Sequence, residues 1–533
     1  MGAGDCELSG GRRTKPPRRA VLGLIGAGTV GMAAQAFRGR PAPGGKEVEA
    51  SRALPRPVEP VVLAPSRSIA EENRREGSKG WISRSDIPMA SSDRRGDIMG
   101  YASATSVGHG GIVDFHVSVH SPQNFRIAVF RIGDYAGRGA RLYATSGRLQ
   151  GGNHLMPRFD PVTGTIACAW PVSWRLRIPE GWMSGLYQAV FTADDGYRSS
   201  TPFVVRAPER ASDILVVLPF ATYQAYNMWP EDGRTGRNLY RGYQDHGKLG
   251  GADERAYKVS FDRPYPGAGV PTWFSMDTSF IRWAERAGHD VTYASSIDLH
   301  DGTVDTANHR AIFFPGHDEY WSKPMRDAAE QAVGAGKHLA FLASNNVYFQ
   351  VRMERSDDGR ANRVMACYKS AHDPAGASLG RTSRWRDISP DGRYAEQRLL
   401  GIQFNGIVRK PAPMVVRDSG HWLWAGTGLR WGDKLPRMVG GEADGFDPSA
   451  PGPPGARRTL LTESPYHDRR SAKTTKVQHT ALTEFPSGGM VFVAGTFHWA
   501  LALDDPDHVN SRIRQATTNL ISHLLAQPKW SAK

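Results

Sequence analysis

The chain has 533 residues, 40% of them hydrophobic and 23% charged, a globular composition with room for roughly two to four domains of about 150 residues each. Its 59 glycines and 36 prolines follow no period, which excludes collagen-like and solenoid architectures, and three cysteines exclude a disulfide scaffold or a cysteine-rich zinc site. The net charge is +14, but the basic residues are dispersed rather than gathered in a stripe, so nucleic acid is not an expected partner.

Arg12, Arg13, Lys15, Arg18 and Arg19 precede an uncharged run from Ala20 to Ala33, and Ala34-Gln35-Ala36 fits a small-x-small cleavage site. The Arg18-Arg19 pair before a weakly apolar, Gly-rich run resembles a twin-arginine export signal, with a general secretory signal or an uncleaved anchor as alternatives. Residues 1–36 are read as that signal, and the protein as an exported bacterial one, extracellular or in the cell envelope. No membrane span is expected once the signal is removed. The GAGTVG inside the run is not a dinucleotide loop, because no strand–turn–helix unit surrounds it. Cys6 leaves with the signal, and Cys168 and Cys367 are expected as buried free thiols.

Residues 37–75, rich in Pro, Arg, Glu and Ser, lack any period of 2 or 3.6 and read as a linker. Over 76–208 the pattern is β: IVDFHVSVH (112–120), FRIAVFRI (125–132), LYQAVFTA (186–193) and PFVVR (202–206) have strand lengths and are separated by turn residues. This predicts an all-β, immunoglobulin-like sandwich. From 209 to 533 the grammar changes. ILVVLPF (214–220), VTYAS (291–295), AIFFPG (311–316) and HLAFLAS (338–344) are buried-strand runs that alternate with the helical patterns FIRWAERAG (280–288) and KPMRDAAEQAVGAG (323–336). MVFVAGTFHW (490–499) and a long amphipathic helix follow. This predicts a three-layer α/β domain with a mainly parallel sheet, interrupted by a β-rich elaboration from about 400 to 485.

Ligands of such sheets bind beyond the carboxyl ends of the strands. There the sequence places Tyr223 and Tyr226 after the first strand, His317 and Glu319 after the third, and Asn345 after the fourth. Taken singly, each has a plain structural role open to it: tyrosines as core aromatics, His317 as a hydrogen-bonder, Glu319 as a cap. GHDEYW stands where a nucleophile elbow would stand, but it holds no Ser or Cys, and no G-x-S-x-G occurs. A covalent acyl-enzyme is therefore disfavoured. Two phenolates and one carboxylate would instead suit a hard cation such as ferric iron.

The blocks LVVLPFATYQAYNMW, RNLY, RAYKVSFDRPY, GHDEYWSKPMRD, FLASNNVYFQVRME, CYKSAHDP, HWLWAGTGL and FVAGTFHW, in that order, resemble the large (beta) subunit of N,N-dimethylformamidase in its C-terminal domain. The resemblance implies a glutamine-amidotransferase-like, flavodoxin-like α/β fold that has lost its cysteine nucleophile and holds one iron through two tyrosines and a glutamate. Carried over, Glu319 matches the glutamate, Tyr226 (or Tyr223) one tyrosine, and Tyr240 (or Tyr243) the other. His317 and Asn345 match the catalytic groups that would orient substrate and move protons. The expected activity is hydrolysis of a non-peptide C–N amide bond with mononuclear ferric iron as cofactor and a small-molecule amide as substrate, and a homo-oligomer is left open. The alternative is a non-catalytic exported protein that binds a surface polymer through its tryptophans.

Overall fold

In a parallel sheet covered on both faces, every strand residue must be apolar or satisfied, and the runs of the C-terminal half have that character. In the computed structural model, which describes residues 54–57, 66, 68–154, 157–370, 372–376 and 380–526, all five residues of Ile214–Leu218 and all four of Ala311–Phe314 are buried. The export signal expected over residues 1–36, and most of the linker, lie outside the described residues. Those from Pro55 on form one compact unit.

The central sheet has seven strands in the order Val291–Ser295, Ile214–Leu218, Ala311–Phe314, His338–Phe341, Met490–Val493, Ala481–Glu484, Arg457–Leu460. The first five are parallel, and the last two run antiparallel. Numbered along the chain, the parallel five stand in the order 2-1-3-4-5, so the winding reverses between Ile214–Leu218 and Ala311–Phe314. Such a reversal leaves a crevice at the carboxyl ends. Helix Phe274–Arg286 packs with His498–Leu501, and helix Lys323–Gly334 with Ser296–His300. Ser322 caps the Lys323 helix by accepting from the Met325 backbone N–H, and Pro324 sits in the first turn, where its missing donor is not needed.

Upstream, a three-stranded sheet (Ile98–Ala102, Ile112–Val119, Trp174–Arg177) faces a six-stranded one containing Asn124–Ile132, Gly185–Ala193 and Arg198–Val205. Val113, Phe115, Val117, Ile127, Val129, Phe191 and Phe203 fill the space between them. Strand Gly185–Ala193 is covered on both sides. Tyr187, Ala189 and Phe191 enter that inter-sheet core, whereas Leu186 and Val190 belong to the core of the α/β part. This double burial explains why LYQAVFTA reads as apolar without clean alternation, and it makes the core continuous across residues 208 and 209.

The stretch read as a linker to residue 75 already packs before its end. Helix Ile69–Glu72 buries Ile69 and Glu72, and the Glu72 carboxylate accepts from Ser66, Tyr135, Tyr143 and Arg141. A four-residue helix is too short to show a period, so its partners, all distant in sequence except Ser66, decide its place. Cys168 and Cys367 are buried and unpaired. Among the described residues no helix is long and apolar enough to cross a membrane.

Candidate metal centre

Three adjacent strands of the sheet end at the reversal point and deliver the polar cluster. Ile214–Leu218 leads into the short helix Phe220–Tyr226, which presents Thr222, Tyr223 and Tyr226. Ala311–Phe314 leads into the turn carrying His317, Asp318 and Glu319. A side chain at Gly316 would lie 2.5 Å from the Asp277 carboxylate, so only glycine lets this turn pass. His338–Phe341 leads into Asn345, whose φ of 54° is a left-handed conformation that asparagine tolerates better than most residues. The turns are tied together. Thr222 Oγ1 accepts from the backbone N–H of both Glu319 (3.0 Å) and Tyr320 (3.2 Å).

Tyr226, Tyr240 and Glu319 meet at one point. The Tyr226 hydroxyl is 2.8 Å from the Tyr240 hydroxyl and 2.5 Å from Glu319 Oε2, and the Tyr240 hydroxyl is 2.6 Å from each Glu319 carboxylate oxygen. The rings stack with centroids 4.5 Å apart. The alternative tyrosines lie elsewhere. Tyr223 donates to Asp277 Oδ2 at 2.6 Å, and Tyr243 pairs through its backbone with Leu249. Trp229 packs on Trp170 and not on Tyr226, which lies against Trp273 instead.

His317 and Asn345 border this point. His317 Nδ1 bonds the Ser344 carbonyl at 3.1 Å, which requires the proton on Nδ1. Its Nε2 lies 3.3 Å from Glu319 Oε2 and 3.9 Å from Glu442 Oε2, without an aligned hydrogen bond. Asn345 Nδ2 donates to Glu442 Oε2 at 2.8 Å, and its backbone N–H donates to Asp444. Trp273 and Phe497 close over the imidazole with ring centroids at 4.8 and 4.7 Å. Lys369 holds its ammonium 3.3 Å from the Tyr240 ring centre.

The electrostatics follow from burial and from two close carboxylates. Burial, then the Glu319 charge, raises the Tyr226 phenol well above its usual range. Burial also works to raise Glu319, but the close approach of His317, with Lys369 and Tyr226, outweighs it and leaves Glu319 below the ordinary value. Burial and the Glu319 charge push Glu442 up to about 7 against the pull of His317. Burial opposes protonation of His317, and the two glutamates more than offset it, so the imidazole is raised.

The donors fit a single hard cation. Four oxygen–oxygen contacts of 2.5–2.8 Å are served by only two phenolic protons. Oxygens that share a small cation at about 2.0–2.1 Å stand roughly 3 Å apart when they are at right angles. Among the described residues no group of three or more His, Cys, Asp or Glu gathers as a metal site, and here the convergent donors are two phenols and one carboxylate.

Glu442, Trp273, Phe497 and Lys369 were not singled out from the sequence. Glu442 falls in the β-rich elaboration and has no local motif. Lys369 and Phe497 lie inside CYKSAHDP and FVAGTFHW, which marked them only as parts of blocks.

No match was found among curated proteins. A solved structure of a cycloisomaltooligosaccharide glucanotransferase from Paenibacillus sp., in complex with cycloisomaltoheptaose, aligns at 9% identity and a TM-score of 0.17, over 76% of this chain and 69% of that one. A likeness at that score carries no argument about fold. The family described as N,N-dimethylformamidase beta subunit-like, C-terminal, matches residues 126–512, beginning within strand Asn124–Ile132 of the upstream sheets. The chain belongs to that family.

Proposed function

We propose that this protein hydrolyses a non-peptide C–N amide bond at a site where Tyr226, Tyr240 and Glu319 hold one ferric ion, within an amidotransferase-like α/β fold that follows an immunoglobulin-like sandwich. The convergence of their oxygens within 2.8 Å carries this reading, and family membership supports its reaction class. When bound there, ferric iron supplies Lewis acidity toward an amide carbonyl and acidifies a water. The phenols select for such an ion. With an unperturbed pKa of about 10 they lose their protons only to a strong Lewis acid.

The chain's own groups do the rest. His317, with Nδ1 fixed on the Ser344 carbonyl, has Nε2 left to carry a proton to the departing nitrogen. Asn345 is held by Glu442 and stands beside the cluster, where an amide can hydrogen-bond charge that develops on the carbonyl oxygen. Trp273 and Phe497 cover the imidazole and keep bulk water out. Export by the twin-arginine route is proposed on Arg18-Arg19 and the run that follows.

Purification of the whole protein with ferric iron tests the reading. The expected result is one iron per chain, a visible tyrosinate-to-iron absorption band, and amine release from a panel of small N-alkyl amides. Colourless, iron-free protein that binds surface polysaccharide would overturn it in favour of a binding role.

A further inference from the structure

The proposed chemistry leaves the FDRPY end of the block RAYKVSFDRPY without a task. Its arginine, Arg263, is 1% exposed. Burial lowers its guanidinium to about 10, and no carboxylate among the described residues pairs with it. The adjacent Asp262 is taken by Arg360 and Arg363. A buried charge of this kind is costly unless its donors are used.

Arg263's terminal nitrogens are used on backbone carbonyls, and its Nε reaches the Gln224 side-chain oxygen at 3.5 Å. Nη2 donates to the Asn227 carbonyl at 2.9 Å, and Nη1 to the Arg237 carbonyl at 3.1 Å. Longer contacts of 3.5 Å reach Gln224 O and Trp229 O. Asn227 is the residue after Tyr226, at the end of its helix, where the carbonyl ends of the peptides favour a cation. Arg237 lies three residues before Tyr240. One guanidinium thus clasps both ends of the loop that separates the two tyrosines. The neighbouring chain repeats the tie. Asn227 Nδ2 donates to the Pro264 carbonyl at 2.8 Å. Asn238 donates to the Tyr226 carbonyl and accepts from the Tyr240 N–H.

We propose that Arg263 is a positioning residue which, by bridging the Asn227 and Arg237 carbonyls, sets the separation of the Tyr226 and Tyr240 hydroxyls. The inference rests on the reading of those two phenols as a metal-holding pair. A guanidinium suits the task because its donors lie in one plane and diverge, whereas an ammonium is a point charge that cannot span both carbonyls in fixed geometry.

The test uses the full chain with Arg263→Lys and Arg263→Met, and ferric iron alone as the probe. Both variants are expected to stay folded, with the metal-free melting temperature near that of the wild type. Both should bind ferric iron about 10–100-fold more weakly, with the visible band shifted or bleached, and lysine should not rescue it. Wild-type affinity and an unchanged band in either variant would overturn the proposal. So would failure of both variants to fold, since Arg263 would then serve the whole fold. If the wild type itself takes up no ferric iron, the metal reading fails separately, and crystal structures decide the positioning role. Widening of the 2.8 Å hydroxyl contact in Arg263→Lys upholds it, and an unchanged contact refutes it.

Discussion

Arg131 and Glu285 meet in a bidentate ion pair, at 2.7 and 2.9 Å, with neither side chain exposed. Arg131 belongs to a strand of the upstream sheets and Glu285 to the Phe274–Arg286 helix, so the pair fastens the two parts of the chain to each other. Further hydrogen bonds come from Tyr293 and Asn73 to Glu285 and from Arg131 to Ser184. Removing one partner strands the other charge. Arg131→Met is expected to lower unfolding free energy by about 3–5 kcal/mol, and combining it with Glu285→Gln should recover part of that loss. Denaturant unfolding of the wild type, both single variants and the double variant measures this, and additive losses would show that the two charges are not coupled.

The tyrosines give a sharper test, because Phe removes only the oxygen and keeps the stacked ring. Tyr226→Phe and Tyr240→Phe should each weaken iron binding and bleach the band, with little change in the melting temperature of the metal-free protein. Tyr223→Phe and Tyr243→Phe should leave the band as it is, since neither hydroxyl hydrogen-bonds Glu319. Loss of colour in Tyr243→Phe with retention in Tyr240→Phe would reverse the assignment.

His317→Gln separates holding the ion from moving the proton. The variant should retain iron and its band, while amide turnover falls by about 10²–10⁴-fold. Iron loss in this variant would make His317 part of the holding set.

Two histidines contribute to the acid limb of stability. His338 Nδ1 accepts the Met490 backbone N–H and His479 Nδ1 accepts that of Phe446, so each ring must stay neutral at that nitrogen. Burial, with nearby cationic groups, lowers both to about 4. Both bind protons more readily unfolded than folded. Their contribution to stability is therefore full above about 6.5 and lost as pH falls toward 4, by about 3 kcal/mol per site. His338→Gln should flatten this limb in pH-dependent thermal unfolding. An unchanged slope would remove His338 from the cause.

The parallel strands were legible because burial on both faces writes itself as an unbroken apolar run. Tyr226, His317, Glu319 and Asn345 were legible because the ends of such strands are few and carry unusual polar residues. Tyr240 was not reachable that way. It sits in a loop after the Phe220 helix, and only the resemblance of RNLY drew attention to it. Glu442 had no signal, because the pairing that carries it, Gln403–Ile407 with Glu442–Gly445, joins segments about 35 residues apart and shows no local motif. The buried face of Ile69–Glu72 was hidden for the same reason. Long-range contacts with no local period decide its place.

Thr222 and the backbone of Glu319 and Tyr320 have a consequence for how an ion would be taken up. The hydroxyl of one residue on the Tyr226 helix holds two successive peptide groups of the Glu319 turn, so donors from two crossovers of the sheet are fastened together by the chain's own hydrogen bonds. A cation bound there would rest on a cradle that these hydrogen bonds help to hold. Little chain freedom would be surrendered at the moment of capture, and the free energy of coordination would go to affinity rather than to ordering the loops.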